Sequence, residues 1–339
     1  MKSLLLVAFA CVATSVLAQQ PPQYDLRFYG ANTSAFAINA SGDAVGWVPR
    51  GGNTRAWVAQ KGKPVEILPI PLGYQSSGAY DINDSGVIVG NVSPQAHASL
   101  STVAAIWRRV NGRYQIQLLS GLPGQPFSAA FAINNLGDVI GGSGYTGYGS
   151  MWRNAVLFTP SGTQPILDWM SASDINDQRV VVSDTLQLDL DTMQVHNVGL
   201  PAGVWQGITT SDINDRNEMV GRLMSYSSSL SNIPVHFTAA TGWTVIGSAG
   251  NNAGAAALNN RGDFITYVES GACRVNLRGV GEFNPSQLLD PSQGLWYVMW
   301  YGANDINDAR QMLISVKDST LTMTGAALIT PKRAENGTK

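Results

Sequence analysis

Cysteine is nearly absent from this chain, with Cys11 and Cys273 the only two in 339 residues. Histidine is as scarce: the three are His97, His196 and His236, too few and too scattered in sequence for a zinc site. Charged residues make up 13%, against roughly 25% in an ordinary soluble domain. The net charge of −2 provides no basic field to hold a nucleic acid or an anionic membrane, so those partner classes are set aside. No Gly-x-Ser-x-Gly, nucleotide-binding loop or cysteine cluster occurs, and so neither a cofactor nor a metal is expected.

Long hydrophobic runs are also missing, except at the start. Met1-Lys2 followed by the apolar Leu4–Leu17 and the small-residue end Val16-Leu17-Ala18 reads as a secretory signal over residues 1–18. The mature chain then begins near Gln19 and is exported, to the periplasm or the medium. No later run reaches the roughly 20 residues needed to span a bilayer. Removal of Cys11 leaves Cys273 unable to form an intramolecular disulfide, so the mature fold must be held by packing. Cys273 itself is read as a small buried hydrophobe in a strand.

Glycine is plentiful, at 36 residues, as are tryptophan and tyrosine, at 9 and 11. One phrase recurs seven times: Ala35–Asn39, Ala79–Asn83, Ala130–Asn134, Ala172–Asn176, Thr210–Asn214, Ala255–Asn259 and Ala303–Asn307, each ending in Ile-Asn or Leu-Asn. The asparagines recur about every 45 residues, the length of a four-stranded propeller blade. Each unit reads as four strands. A tight turn follows the Asn, as in Asn83–Gly86, and a second strand restarts as Val87–Val89. A third strand follows, as in Arg55–Val58, Ala104–Trp107 and Asn154–Phe158. A glycine turn at Gly62, Gly112, Gly162, Gly242 or Gly281 leads to the fourth. The chain ends provide an independent indication. Tyr24–Tyr29 is a strand too many before the first phrase, and the last unit stops a strand short near Thr330. The sequence therefore predicts an all-β fold: a seven-bladed β-propeller of four-stranded antiparallel blades over residues 19–331, closed by the N-terminal strand completing the last blade, with a polar tail at 332–339.

The Asp-Ile-Asn-Asp-x-Gly phrase with its Val-Gly continuation, best seen at Asp81–Gly90, and the third-strand alanines Ala56, Ala105, Ala155 and Ala327 resemble the bacterial extracellular HAF repeats, named for a His-Ala-Phe triplet. The resemblance spans roughly Tyr24–Thr330 and implies a secreted or cell-surface repeat protein. Here the triplet histidine is replaced by Arg55, Ala104, Asn154 and Ala326, so the resemblance implies no catalytic histidine.

With the Asn strand innermost, the tight turns share one face and the longer connections the other. Aromatic residues crowd the second face, and the expected ligand-binding residues are Trp47, Arg50, Tyr145, Tyr148, Trp152, Trp169, Trp205, Tyr226, Trp296 and Trp300. Flat rings beside Ser, Asn and Asp suit a carbohydrate or a protein ligand. Trp296 and Trp300 could equally be staples between blades. A monomeric, non-catalytic binding module is the favoured reading. The alternatives are a polysaccharide hydrolase or lyase using an acid pair from Asp168, Glu269 and Asp290 or the base His97, and a structural envelope or matrix component. Asp81-x-Asn83-x-Ser85-Gly86 imitates a calcium loop, but the other units break the pattern, and the Asp reads as a side chain bonding local turn amides.

Overall fold

The computed structural model describes residues 21–95, 101–145, 154–168, 171–203, 205–225, 232–268, 273–320 and 322–332. The predicted signal segment, His97, Tyr148, Trp152, Trp169, Tyr226 and Glu269 lie outside them. The described residues form seven four-stranded antiparallel sheets. Six are consecutive in the chain, and blade 1, with strands Ser34–Ile38, Ala44–Arg50, Asn53–Ala59 and Val65–Ile67, is typical. The seventh takes Trp296–Ile306, Met312–Asp318 and Thr324–Pro331 from the end of the chain and Tyr24–Phe28 from its beginning. Tyr24 pairs with Pro331 and Phe28 with Ala327, so the ring closes as the sequence predicts. No described helix is long and apolar enough to cross a membrane.

The core lies between blades rather than within one. Val45 and Val58 of blade 1 pack against Ile88 and Trp107 of blade 2, and Leu313 and Ala326 of blade 7 pack against Trp57 of blade 1. Cys273 is buried between blades 6 and 7 beside Tyr24, Val275 and Met312. Each fully buried Val, Leu or Ile contributes roughly 1.5–3 kcal/mol, so continuous sheet-on-sheet contact can hold the ring without cross-links.

Two backbone features explain the repeated glycines. The turn glycines Gly62, Gly112, Gly162, Gly242 and Gly281 all have positive φ, from 64° to 142°, where a Cβ is strained. The glycine of Val-Gly answers a different need. In six of the seven inner strands the pairing register slips by one residue, at Phe36, Tyr80, Phe131, Ser211, Ala256 and Asn304. Such a bulge pushes the inner backbone toward its neighbour. A Cβ on Gly46, Gly90, Gly141 or Gly221 would lie only 1.8–2.2 Å from the carbonyl oxygen of Ser34, Gly78, Ala129 or Thr209.

Candidate functional site

The seven inner strands surround a central channel, and their repeated residues bond around it. Each repeat Asn donates its side-chain Nδ2 to the backbone carbonyl of the next one: Asn39 to Asn83, Asn83 to Asn134, Asn134 to Asn176, Asn176 to Asn214, Asn214 to Asn259, Asn259 to Asn307 and Asn307 to Asn39, all at 2.9–3.1 Å. The ring is closed. The side-chain oxygen of each Asn accepts from its own tight turn, as Asn83 does from Val87 N at 3.0 Å. The Asn is invariant among the repeats because each copy satisfies two blades at once.

A second ring lies one residue along. Asp84, Asn135, Asp177, Asp215, Asn260 and Asp308 each accept, at 2.7–2.9 Å, the amide of the equivalent residue one blade earlier. This ring lacks its seventh link because Ala40 has no acceptor. Together the two rings line a cavity of 210 Å³ at the turn end of the channel.

The third ring lies two residues before the Asn and alternates Ala37, Asp81, Ala132, Asp174, Asp212, Ala257 and Asp305. Seven backbone amides, one per blade, point to this ring, and four carboxylates serve all of them. Asp81 accepts from Ile82 and Ile133. Asp305 accepts from Ile306 and Ile38, Asp174 from Ile175 and Ile213, and Asp212 from Leu258. One two-oxygen carboxylate per two blades gives the Asp/Ala alternation. Seven is odd, so the alternation fails once, at the adjacent Asp174 and Asp212. Their side chains hydrogen-bond to each other, and a bond between two carboxyls requires a proton in it. The sequence-based reading assigned this Asp to local turn amides; Asp81, Asp174 and Asp305 do accept the amide of the next residue, and the structure adds the amide of a neighbouring blade, which the sequence did not show.

These acids line the bore, surrounded by protein yet touched by its interior space. Burial pushes Asp81 up to about 8 and Asp305 up to about 7, each further raised by other channel acids despite two amide bonds. Burial raises Asp174 as well, and raises Asp212 well above the usual range, where the charge of Asp174 adds to the effect.

At the loop end of the channel the bulge residues and this acid ring line a second cavity, of 170 Å³. This column is where the repeats diverge. Blades 1–3 place Phe36, Tyr80 and Phe131 at the mouth, and blades 4, 5 and 7 place Ser173, Ser211 and Asn304. Phe36, 37% exposed, meets the Tyr80 ring edge-on at 5.6 Å. An aromatic crescent thus faces a crescent of hydroxyl, amide and carboxyl groups.

Of the residues expected from sequence, Trp47, Arg50, Tyr145 and Trp296 are described with their side chains, and none of these four lines the mouth. Trp47 is half-buried in the second strand of blade 1, against a separate cavity between blades 7 and 1. Arg50 is exposed at the end of that strand, opposite Asn53. Tyr145 is 49% exposed, just beyond the second strand of blade 3. Trp205 and Trp300 lie in the inner strands of blades 5 and 7. Trp296 packs against Phe28 of the closing strand, within blade 7, at a centroid distance of 5.1 Å, and against the core cluster that blades 6 and 7 share. Among the acids proposed for catalysis, Asp168 ends the outer strand of blade 3 and accepts from Asn154 at 2.8 Å. Asp290 caps a short 3-10 turn before blade 7 and pairs with Lys332. The two belong to no common site. Among the described residues no three His, Cys, Asp or Glu side chains group as metal ligands. Asp81 and Asn83 of the calcium-like phrase are occupied by the amides named above. The mouth residues Phe36, Tyr80, Phe131, Ser173, Ser211 and Asn304 were missed because they lie inside a phrase that reads as purely structural. Their signal was the one column of that phrase that varies freely.

No protein-family model matches the chain, and no curated protein matches it. Solved structures similar to it include TolB from Acinetobacter baumannii, at 11% identity and a TM-score of 0.39, covering 92% of this chain and 97% of that one. The native arabinanase of Bacillus subtilis is similar at 10% identity and a TM-score of 0.33, covering 90% and 97%. A prolyl endopeptidase is similar at 9% identity and a TM-score of 0.31, covering 88% of this chain and 40% of that chain.

Proposed function

We propose that the chain is a secreted binding module whose ligand enters the loop-side mouth of the channel, and that the ligand is a carbohydrate. The divergence of the mouth column within an otherwise repeated phrase carries this reading. Positions needed by the ring, such as the Asn, are the same in all seven blades, whereas this column runs Phe36, Tyr80, Phe131, Ser173, Ser211, Ala256 and Asn304, of which Asn304 also donates to Ala35 O across the closing seam at 2.7 Å. Aromatic faces stack on the apolar face of a sugar ring, and the opposing hydroxyl, amide and carboxyl groups suit its hydroxyls. The cavity of 170 Å³ is below the roughly 300–1,000 Å³ of sites for drug-sized molecules, so it takes one ring and not a length of polymer.

A glycan array probed with the mature protein and with Phe131→Ala tests the reading. Binding to a subset of glycans that falls about tenfold or more in the variant is expected. Binding that survives the substitution unchanged would move the site elsewhere on the loop face. A protein that binds no glycan would instead be a protein-binding or structural component of the envelope.

A further inference from the structure

The seam between blades 7 and 1 departs from the repeat twice. Eight residues after each repeat Asn, in the second strand or, for Asp184, just past its end, stand Trp47, Asn91, Gly142, Asp184, Arg222, Tyr267 and Ser315, so blade 1 alone places an indole there. On the other side of the seam, the inner strand of blade 7 is interrupted. Val298 pairs with Val316 and Ala303 with Ile314, so four residues, 299–302, stand opposite Ser315 alone. A bulge of this size re-aims side chains at the cost of ladder bonds.

Between these two irregularities lies a cavity of 270 Å³, walled by Trp47 and Met299 and edged by Asn32, Ser34, Ser315 and Thr324, with no charged residue among the described residues that line it. Among the described residues none of those four polar side chains has a hydrogen bond to the protein, though the neighbouring Thr33 is committed to Gly30 O and Ala326 N. Four uncommitted donors and acceptors around an indole face suit a neutral polyhydroxylated ring. An anion or cation would find no counter-charge. Ser34, at its edge, and Phe36, at the channel mouth, are two residues apart on the inner strand of blade 1, about 7 Å at strand rise. The two cavities are thus lined by neighbouring stretches of one strand.

We infer that the seam cavity is a second sugar subsite, and that the ligand is an uncharged oligosaccharide lying across the blade 7–blade 1 seam with its terminal ring in the channel mouth. The inference rests on the reading of the mouth as a sugar site and adds the length and direction of the ligand. Isothermal titration of glucose, galactose, mannose, N-acetylglucosamine, xylose and arabinose, each beside its linked di- and trisaccharides, tests both. In the series that binds, the disaccharide should bind about tenfold more tightly than the monosaccharide. Trp47→Ala should abolish that gain while leaving the monosaccharide within about twofold, and Trp47→Phe should keep most of it, with thermal unfolding showing that both variants fold. A monosaccharide that binds with no gain on lengthening, or a gain that Trp47→Ala leaves intact, overturns the seam subsite but not the mouth. If no sugar of any length binds, both readings fall together.

Discussion

Each repeat Asn satisfies groups in two blades, so removing one leaves buried backbone groups without partners. Asn259→Ala would strip Asn307 O of its donor and the amides of Arg261 and Asp263 of their acceptor. A loss of about 3 kcal/mol is expected, read as a lower denaturant midpoint. The acid ring makes a sharper prediction. Asp81 must supply two acceptors, and Asn supplies only one, so Asp81→Asn should cost about 1–3 kcal/mol. Asp212 serves one amide and spends its other oxygen on Asp174, a place where an amide NH2 can donate. Asp212→Asn should therefore stay within about 0.5 kcal/mol of the parent at neutral pH. Equal losses in the two variants would refute the one-carboxylate-per-two-amides count. Titration follows the same logic. A carboxyl that holds its proton more tightly folded than unfolded adds stability at low pH, and that stability disappears as pH rises through the folded value. With Asp81 near 8 and Asp305 near 7 against an ordinary 3.8, the molecule should lose at least about 2 kcal/mol between pH 5 and pH 9. Chemical denaturation across that range checks it, and a flat profile would contradict the burial of these acids.

At the scale of elements, the strand order was legible because period-two apolar runs, turn glycines and the Ile-Asn phrase recur with the blade. The closing strand was legible from counting strands at the two ends. Its role predicts that deletion through Phe28 exposes the edge of Thr324–Pro331, which Tyr24–Phe28 covers, together with the surface of Trp296 that Phe28 packs against. The shortened protein should aggregate on light scattering, whereas deletion through Gln19 should leave it monodisperse. The bulges were not legible. They interrupt an alternation that reads as an ordinary strand, and their cause is cooperative: the bulge, the close-packed Gly46, Gly90, Gly141 and Gly221, and the Asp that serves two amides only make sense together. The candidate site followed them out of sight. Loop tryptophans drew the sequence reading outward, but a side chain turned inward by a bulge carries no mark of it except variation among copies.

For the whole molecule, sevenfold repetition acts as an internal control. What all blades share maintains the ring, and the closed ring of repeat Asn is of that kind, with the second turn-side ring present in all blades but the first. The asymmetry of the loop side, aromatic over blades 1–3 and polar over blades 4, 5 and 7, is superimposed on that repetition. The most direct test of that division compares two exposed apolar residues at opposite ends of the channel: Phe36 at the loop-side mouth and Leu136, 65% exposed in the tight turn between Asn134 and Gly137. Calorimetric titration with the tightest-binding glycan should show Phe36→Ala weakened about tenfold or more and Leu136→Ala unchanged. Equal affinity in the two variants, or a loss confined to Leu136→Ala, would contradict a ligand site at the loop-side mouth.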